Sequence, residues 1–170
     1  MAYKYSYEGF NKETMGRASS TNQHISLKKT VETANAVKGK RVETAISYLE
    51  KVMDEKVPVP YKRYTMAIAH RPGKGISTGG YPVNVAKEII RLLKAASKNA
   101  SEQEVSGELY VISVSGRKGT TRYHPGRYQG RKMKSTNMEV IVGSRAKKET
   151  KKKVKTEVKK EVAKKWLREK

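Results

Sequence analysis

Apolar residues recur every three or four positions in the first half of the chain, which is the spacing of amphipathic helices. A first stripe begins after Ser26, a predicted N-cap, and ends at Gly39, which suits the left-handed conformation that often follows a helix. A second stripe follows at once and stops before Pro58 and Pro60, which lack backbone donors. The pattern therefore predicts two short helices that form a helical hairpin. The apolar positions are Leu27, Val31 and Ala34 in the first helix, and Val42, Ala45, Ile46, Leu49 and Met53 in the second.

The chain then passes from a segment without periodicity to a longer helical stripe. Residues 61–81 are rich in Arg, Lys and Gly, a composition that predicts a loop. Pro82 suits the first turn of a third helix, which we expect to continue to about Ser101. The broad apolar face of this helix consists of Val85, Ala86, Ile89, Ile90, Leu93, Ala96 and Ala100.

Residues 108–143 change to a period of two, which predicts a β-hairpin. The outgoing strand is expected at 109–116 and the returning strand near 138–143, both half buried. Arms of about 15 residues would project on the order of 50 Å, so the outer part needs a partner that packs along it. The predicted faces are Tyr110, Ile112 and Val114 opposite Leu109 and Val111 in the first strand, and Met138, Val140 and Val142 in the second.

The two ends of the chain differ from the middle. Residues 1–25 are rich in Tyr, Ser, Asn and Lys and predict an extended arm that could add an edge strand to the sheet. Residues 145–170 hold 13 Lys and Arg but 4 Glu, with an apolar residue every fourth position. This tail is predicted to be a basic helix with a narrow apolar stripe. The stripe consists of Val154, Val158, Val162 and Trp166.

The charge of the chain indicates the kind of partner. With 38 Lys and Arg against 16 Asp and Glu, the formal net charge is +22 over 170 residues. Such self-repulsion predicts binding to a polyanion. The absence of cysteine excludes disulfides and fits a reducing cytoplasm, and no apolar run approaches the ~20 residues of a membrane span. We therefore expect a cytoplasmic protein that does not bind a membrane.

Catalytic chemistry is not predicted. Asp54 is the one aspartate, so clustered carboxylates of the kind that hold catalytic magnesium are scarce. The glycine-rich stretch at 71–82 does not follow the phosphate-loop order, because Lys74 is followed by Gly75 rather than Ser or Thr. We interpret it as a loop that meets nucleic-acid phosphates, and we expect no enzyme activity, cofactor or metal. The three histidines lie in separate contexts without a second ligand type at metal-binding spacing, and they are His24, His70 and His124.

Basic and aromatic residues interleave in the outer hairpin, where no acidic residue occurs between 109 and 138. Arginine and lysine would bind phosphates while tyrosine would stack on unpaired bases. A disordered basic loop remains an alternative, as does an architectural DNA-binding arm with Pro125 as its wedge. The predicted RNA-binding residues are Arg17, Lys40, Arg41, Lys62, Arg63, Arg71 and Lys74 in the arm and body, and Arg117, Lys118, Arg122, Tyr123, Arg127, Arg131, Lys132 and Lys134 in the hairpin.

The chain resembles the archaeal form of the universal large-subunit ribosomal protein family that is numbered twenty-two in bacteria and seventeen in eukaryotes. The resemblance covers roughly residues 5–143. It is carried by "MGR" at 15–17, "GKRVETAISYLEKV" at 39–52, "VPVPYKRY" at 57–64, "YPVNVAKEIIRLLKAASKNA" at 81–100, and Arg127, Gly130 and Arg131 at the hairpin tip. At that tip Gly126 separates Pro125 from Arg127, unlike the family pattern, so a different local turn is expected.

The resemblance implies an α+β fold in which three helices pack on a small antiparallel sheet with a long protruding β-hairpin. It divides the chain into an arm at 1–25, an RNA-binding domain at 26–144 and a tail at 145–170. It also implies a structural role in the large ribosomal subunit, with binding to ribosomal RNA, neighbouring ribosomal proteins and the nascent polypeptide, and without a homo-oligomer. The hairpin would line the exit tunnel, with Arg127, Gly130 and Arg131 at the tunnel tip.

Overall fold

The computed structural model describes residues 5–73, 75–105 and 107–144. The predicted tail helix and Lys74 lie outside the described residues. The helices are α1 (Leu27–Val37), α2 (Val42–Met53) and α3 (Val83–Glu102). The strands are β1 (Met15–Gln23), β2 (Val59–Tyr61), β3 (Thr78–Gly80), β4 (Leu109–Lys118) and β5 (Thr136–Ser144), with a short 3₁₀ turn at Gly126–Tyr128.

Three of the strands form an antiparallel sheet in the order β1-β5-β4. Helix α3 packs on β1 and β5, α1 packs on β4, and α2 packs on α3. The predicted α+β class, with three helices and a small antiparallel sheet, is confirmed. Side chains that are fully buried between the helices and the sheet include Leu49, Ile89, Leu93 and Met138.

The first two helices do not form the predicted helical hairpin, because they pack on different neighbours. The turn between them is bonded to β4: Gly39 N donates to the Val111 carbonyl at 2.8 Å, and Val111 N donates to the Lys40 carbonyl at 2.9 Å. These two bonds hold the start of α2 beside the strand and direct it towards α3. Gly39 has the predicted left-handed backbone, with φ of 83°.

Helix α1 buries a more polar face than its apolar stripe predicts. Thr30, Glu32 and Thr33 are buried, whereas Leu27 and Val31 are half buried. The two threonine hydroxyls donate to carbonyl oxygens one turn earlier, so their burial leaves no unpaired hydroxyl. The buried carboxylate of Glu32 is paired with another part of the chain, described below.

The segment predicted as a loop at 61–81 contains strand structure at both ends. Strands β2 and β3 pair antiparallel, with Val59 opposite Gly80 and Tyr61 opposite Thr78. Sequence periodicity did not detect a ladder of three residues on each side, because a period of two needs a longer run to show. The residues between these strands form an insert whose two ends are held together.

The hairpin strands differ from the predicted alternation in two ways. A register shift between Val111 and Ser113 is a β-bulge, and it buries Val111 and Val114 on the same side, so the predicted faces of β4 are wrong. Strand β5 is central and is buried on both faces rather than half buried, since Glu139 and Ile141 are covered as well. The second face is covered by the N-terminal segment, where Ser6 Oγ donates to Glu139 at 2.6 Å.

The regular part of the hairpin is shorter than the predicted arms of about 15 residues. The β4 and β5 strands have 10 and 9 residues, and the ladder ends at the Lys118–Thr136 pair. Beyond it, at 119–135, the arms are joined by isolated bonds, such as Met133 N to the Arg122 carbonyl at 2.7 Å. We call residues 117–134 the finger.

Candidate nucleic-acid interface

The finger presents its basic and aromatic side chains to solvent. Tyr123 and Tyr128 are 58% and 54% exposed, which is unusual for rings of this size. Lys132 Nζ lies 5.7 Å from the centre of the Tyr123 ring, and the Arg131 guanidinium lies 5.0 Å from that of Tyr128. Each pair combines a flat stacking surface with a cation. A pair of this kind suits a base and its phosphate.

The root of the finger is fixed by Asn22, near the end of β1, and by His24, which follows the strand. Asn22 has a left-handed backbone with φ of 52°, and its Oδ1 accepts a bond from Thr120 N at 3.0 Å and one from Ser135 Oγ at 3.3 Å. His24 Nδ1 donates to the Lys134 carbonyl at 3.1 Å. These side chains take the place of ladder bonds where the regular pairing stops. They link both arms of the finger to the edge strand of the body.

A buried carboxylate positions the start of the insert. Glu32, which is 1% exposed, accepts bonds from the backbone N–H groups of Lys62 at 3.1 Å, Arg63 at 2.8 Å and Tyr64 at 2.7 Å. Burial raises the pKa of Glu32, but these three donors and the Arg63 charge together outweigh it, so the pKa lies below its ordinary value. The bonds fix the backbone while the side chains of Lys62 and Arg63 point to solvent.

The lowered pKa gives the Glu32 bonds a defined pH dependence. Their stabilisation is fully present above the unfolded-state glutamate pKa of about 4.3 and is lost as the pH falls through the lower folded-state value, because the unfolded chain takes up the proton first. Urea denaturation between about pH 7 and about pH 3 measures this loss of stabilisation. The difference in free energy of unfolding between the wild type and Glu32→Gln should shrink towards acid. A difference that stays constant over this range would contradict the assignment.

The finger and the insert are joined by the first turn of α1. Lys28 Nζ lies 5.8 Å from the centre of the Tyr64 ring, which the Arg63 guanidinium also approaches at 5.4 Å. Lys28 also lines a groove together with residues of the finger. Farther along the insert, the Arg71 guanidinium lies 5.3 Å from the Tyr81 ring. Basic side chains therefore continue from the finger across α1 to the insert.

Three of the predicted RNA-binding residues lie apart from this surface. Arg41 forms an ion pair with Glu108 at 2.8 Å, at the end of β4 opposite the finger. Beside it, Lys40 Nζ lies 3.8 Å from the Tyr48 ring, and burial lowers the Lys40 pKa. The Arg17 guanidinium lies between two aromatic rings, 4.5 Å from Tyr5 and 4.4 Å from Phe10. Their visible partners belong to the protein itself.

Sequence reasoning missed residues that assemble the surface. Lys28 and Lys29 lie in the first turn of α1, which contains no acidic residue, although cations are disfavoured at that end of a helix. Such a mismatch favours a nearby anion. Glu32 and Asn22 gave no such signal, because their partners are 30 or more residues away in the sequence.

Seven of the described acidic residues lie on α2 or beside the ends of α2 and α3, and none of the described acidic residues lies in the finger. The described residues contain no group of acidic, histidine or cysteine side chains that could hold a metal ion. Among the described helices, none has the length and apolar character required to cross a bilayer. The seven acidic residues on or beside these helix ends are Glu43, Glu50, Asp54, Glu55, Glu102, Glu104 and Glu108.

An α+β body with an exposed basic and aromatic finger is the arrangement expected of a structural protein that associates with a polyanion. The sequence profile of the family described as ribosomal protein L22p/L17e matches residues 18–143. The chain belongs to this family. It is accordingly a structural constituent of the large ribosomal subunit and not an enzyme, it associates with ribosomal RNA and ribosomal proteins, and it is located in the cytoplasm as part of the ribosome.

Curated relatives agree with the family assignment over most of their length. The chain is 37% identical over 135 residues to the large ribosomal subunit protein uL22 of Picrophilus torridus, covering 76% of this chain and 89% of the relative. For the protein of the same name from Ignicoccus hospitalis, identity is 35% over 142 residues, with 78% and 89% covered. For that of Methanococcoides burtonii, it is 34% over 145 residues, with 82% and 95% covered.

Proposed function

We propose that the finger and the insert bind ribosomal RNA directly and help to fold it during assembly of the large subunit. The observation that carries this proposal is the exposed arrangement of paired cations and aromatic rings, with no acidic residue in the finger. Lysine and arginine neutralise backbone phosphates without regard to sequence. Exposed tyrosines add contacts to unpaired bases, which favours loops and junctions over regular duplex. The RNA-contacting residues of this surface are Lys62, Arg63, Arg71, Arg117, Lys118, Arg122, Tyr123, Arg127, Arg131, Lys132 and Lys134, together with Lys28 and Lys29.

Arg17, Lys40 and Arg41 contribute to RNA binding less directly in this proposal. Each already contacts an aromatic ring or a carboxylate of the protein, so its charge is partly satisfied. These residues form a second area at the arm and at the α1–α2 turn. We also propose that Lys74, which lies outside the described residues, binds RNA.

We further propose that the tip of the finger lines the exit tunnel for the nascent polypeptide. Arg127, Gly130 and Arg131 would lie at the tunnel surface. Gly126 begins the 3₁₀ turn and has a left-handed backbone with φ of 64°, which glycine adopts readily because it has no side chain. All tip residues from 125 to 132 are exposed. A tip of this kind can meet RNA on one side and a passing peptide on the other.

Removal of the finger tip is expected to impair assembly into the large subunit while leaving the fold of the body intact. Replacing residues 123–131 by a two-residue Asn-Gly turn leaves the bonds of Asn22 in place. We expect the melting temperature of the free protein to change by less than about 3 °C, because the deleted residues contribute no core side chain. Cosedimentation with large subunits in a sucrose gradient should fall severalfold. Unfolding of the body would contradict the division between body and finger, and unchanged sedimentation would contradict the role of the tip.

Duplex DNA serves as the competitor that tests the class of nucleic acid. Filter binding at moderate salt, with ribosomal RNA fragments and with duplex DNA of equal length, compares the two ligands. We expect tighter binding to the RNA fragments because unpaired bases can reach the exposed tyrosines. Tighter and structure-dependent binding to the DNA would replace the ribosomal RNA proposal with the architectural one.

A further inference from the structure

A groove of about 500 Å³ lies between the first turn of α1 and the root of the finger. We call it the root groove. None of the described residues that line it is acidic. Four lysines from three separate parts of the fold line it, and we call them the lysine rim. They are Lys28 from α1, Lys118 from the end of β4, and Lys132 and Lys134 from the returning arm of the finger.

The root groove also contains apolar side chains that the core does not use. Leu27 and Met133 are half buried and line the groove, yet neither belongs to the hydrophobic core of the described residues. Leu27 lies over Gly116, where an added Cβ would be 3.6 Å from its Cδ1 atom. Met133 is held in place by its backbone bond to Arg122. We call Leu27 and Met133 the apolar wall.

The lysine rim is unfavourable without an anion. Four like charges around one groove repel each other, and Lys28 also lies at the end of a helix where the dipole disfavours a cation. A phosphate in the groove would relieve both effects. A phosphate alone, however, gives no reason for an apolar wall, since an anion gains nothing from Leu27 and Met133.

We propose that the root groove receives one unpaired RNA nucleotide, with its base against the apolar wall and its flanking phosphates on the lysine rim. This inference rests on the proposed binding of RNA. A nucleotide has a flat body with two apolar faces and a charged backbone, which matches the two halves of the groove. A base within a regular duplex is stacked between its neighbours and presents no face to the wall. The groove therefore selects bulges and loops rather than continuous helix.

The base contact is tested with two RNA hairpins that differ by one bulged nucleotide. We expect the full chain to bind the bulged hairpin about tenfold more tightly than the fully paired one, as measured by filter binding. Met133→Ser should reduce this preference to less than about threefold. Lys51→Ala, on the exposed side of α2 and outside the proposed RNA-binding surface, is the control and should leave the preference unchanged. Equal melting temperatures of the two variants would show that the wall, rather than the fold, has changed.

Salt dependence separates the two halves of the groove. Lys132→Ala should lower the slope of log K against log salt by about 0.7 to 0.9, which corresponds to one lost phosphate contact. Met133→Ser should weaken binding of the bulged hairpin without changing that slope. Lys51→Ala, on the exposed side of α2, should change neither quantity. A salt slope that falls equally with Met133→Ser would overturn the assignment of Met133 to a base.

The outcomes distinguish this inference from the proposed function beneath it. Equal affinity for the two hairpins, with a normal salt slope, would overturn the nucleotide site and leave RNA binding intact. Displacement of the bulged hairpin by poly-glutamate at low concentration, lost in Lys28→Ala, would show that the groove takes an acidic peptide instead. Failure to bind either hairpin or any ribosomal RNA fragment would overturn both proposals together.

Discussion

Glu32→Gln is expected to destabilise the protein by about 2 to 3 kcal/mol, and Glu32→Ala by about 3 to 5 kcal/mol. The carboxylate accepts three backbone bonds, and its Oε1 atom receives those of Arg63 and Tyr64. The glutamine side chain keeps one oxygen for these two donors but places an amide N–H₂ against the N–H of Lys62, where two donors face each other. Alanine leaves all three donors without their carboxylate acceptor. Urea denaturation of the free protein measures both changes.

The matched control for these variants is Glu50→Gln. Glu50 is an exposed glutamate on α2, so loss of its charge should alter the free energy of unfolding by less than about 0.5 kcal/mol. RNA affinity should fall in Glu32→Gln as well, because the insert backbone that carries Lys62 and Arg63 is no longer fixed. Equal stability of the Glu32→Gln and Glu50→Gln proteins would contradict the role assigned to the buried carboxylate.

The parts of the fold that the sequence predicts are those governed by local periodicity. Helix α3 has a broad apolar face over five turns, and its observed span of Val83–Glu102 agrees with the predicted one to within about one residue. Gly39 ends α1 as expected, because a left-handed residue at that place is a local requirement. Each of these two features depends on neighbours within a few positions. The α+β class itself was implied by the resemblance to the ribosomal protein family.

The features that the sequence did not predict depend on contacts between distant segments. The bulge at Val111–Ser113 offsets the alternation of β4, so a strict period of two assigns the wrong face to Ile112. The packing of α1 on β4 rather than on α2 depends on the bonds between Gly39, Lys40 and Val111. A stripe shows that a helix buries one face but not which element covers it. The sequence therefore predicted the helices and strands better than it predicted which of them pack against each other.

The sequence alone predicts only part of the candidate RNA-binding surface, because the rest depends on contacts between distant segments. Charge and composition identified the finger, since a run without acidic residues is visible in one dimension. The connection through Lys28 and the positioning by Glu32 require the fold, because α1 and the insert meet only in three dimensions. Arg17 was predicted to bind RNA as a basic residue in a motif. The position of its guanidinium between the Tyr5 and Phe10 rings likewise depends on the fold.

Gly16→Val is expected to prevent stable folding, and Gly16→Ala to destabilise the protein by about 3 kcal/mol. Gly16 is the middle residue of "MGR" and lies where β1 crosses closest to α3. An added Cβ would overlap the carbonyl oxygen of Ala96, and it would lie 2.7 Å from the Cβ and 2.8 Å from the backbone nitrogen of Ala100. The strand cannot move outward freely, because Asn99 Nδ2 donates to the Arg17 carbonyl at 2.8 Å and holds β1 on the helix. Thermal and urea denaturation measure the loss.

A second substitution tests whether close approach is the cause. Ala100→Gly in the Gly16→Ala background removes one of the three obstructing atoms but leaves the Ala96 carbonyl oxygen and the Ala100 backbone nitrogen. It should therefore recover less than half of the lost stability after correction for its own helix cost of about 1 kcal/mol. Gly130→Ala is the control, since no atom lies within 4 Å of its added Cβ, and its stability should match the wild type within about 0.5 kcal/mol. Because β1 also carries Asn22 at its end, the Gly16→Ala protein should bind RNA less tightly even at temperatures where it is folded. Wild-type stability in Gly16→Ala would mean that β1 and α3 can separate without loss, and the finger would then be held by β5 and β4 alone.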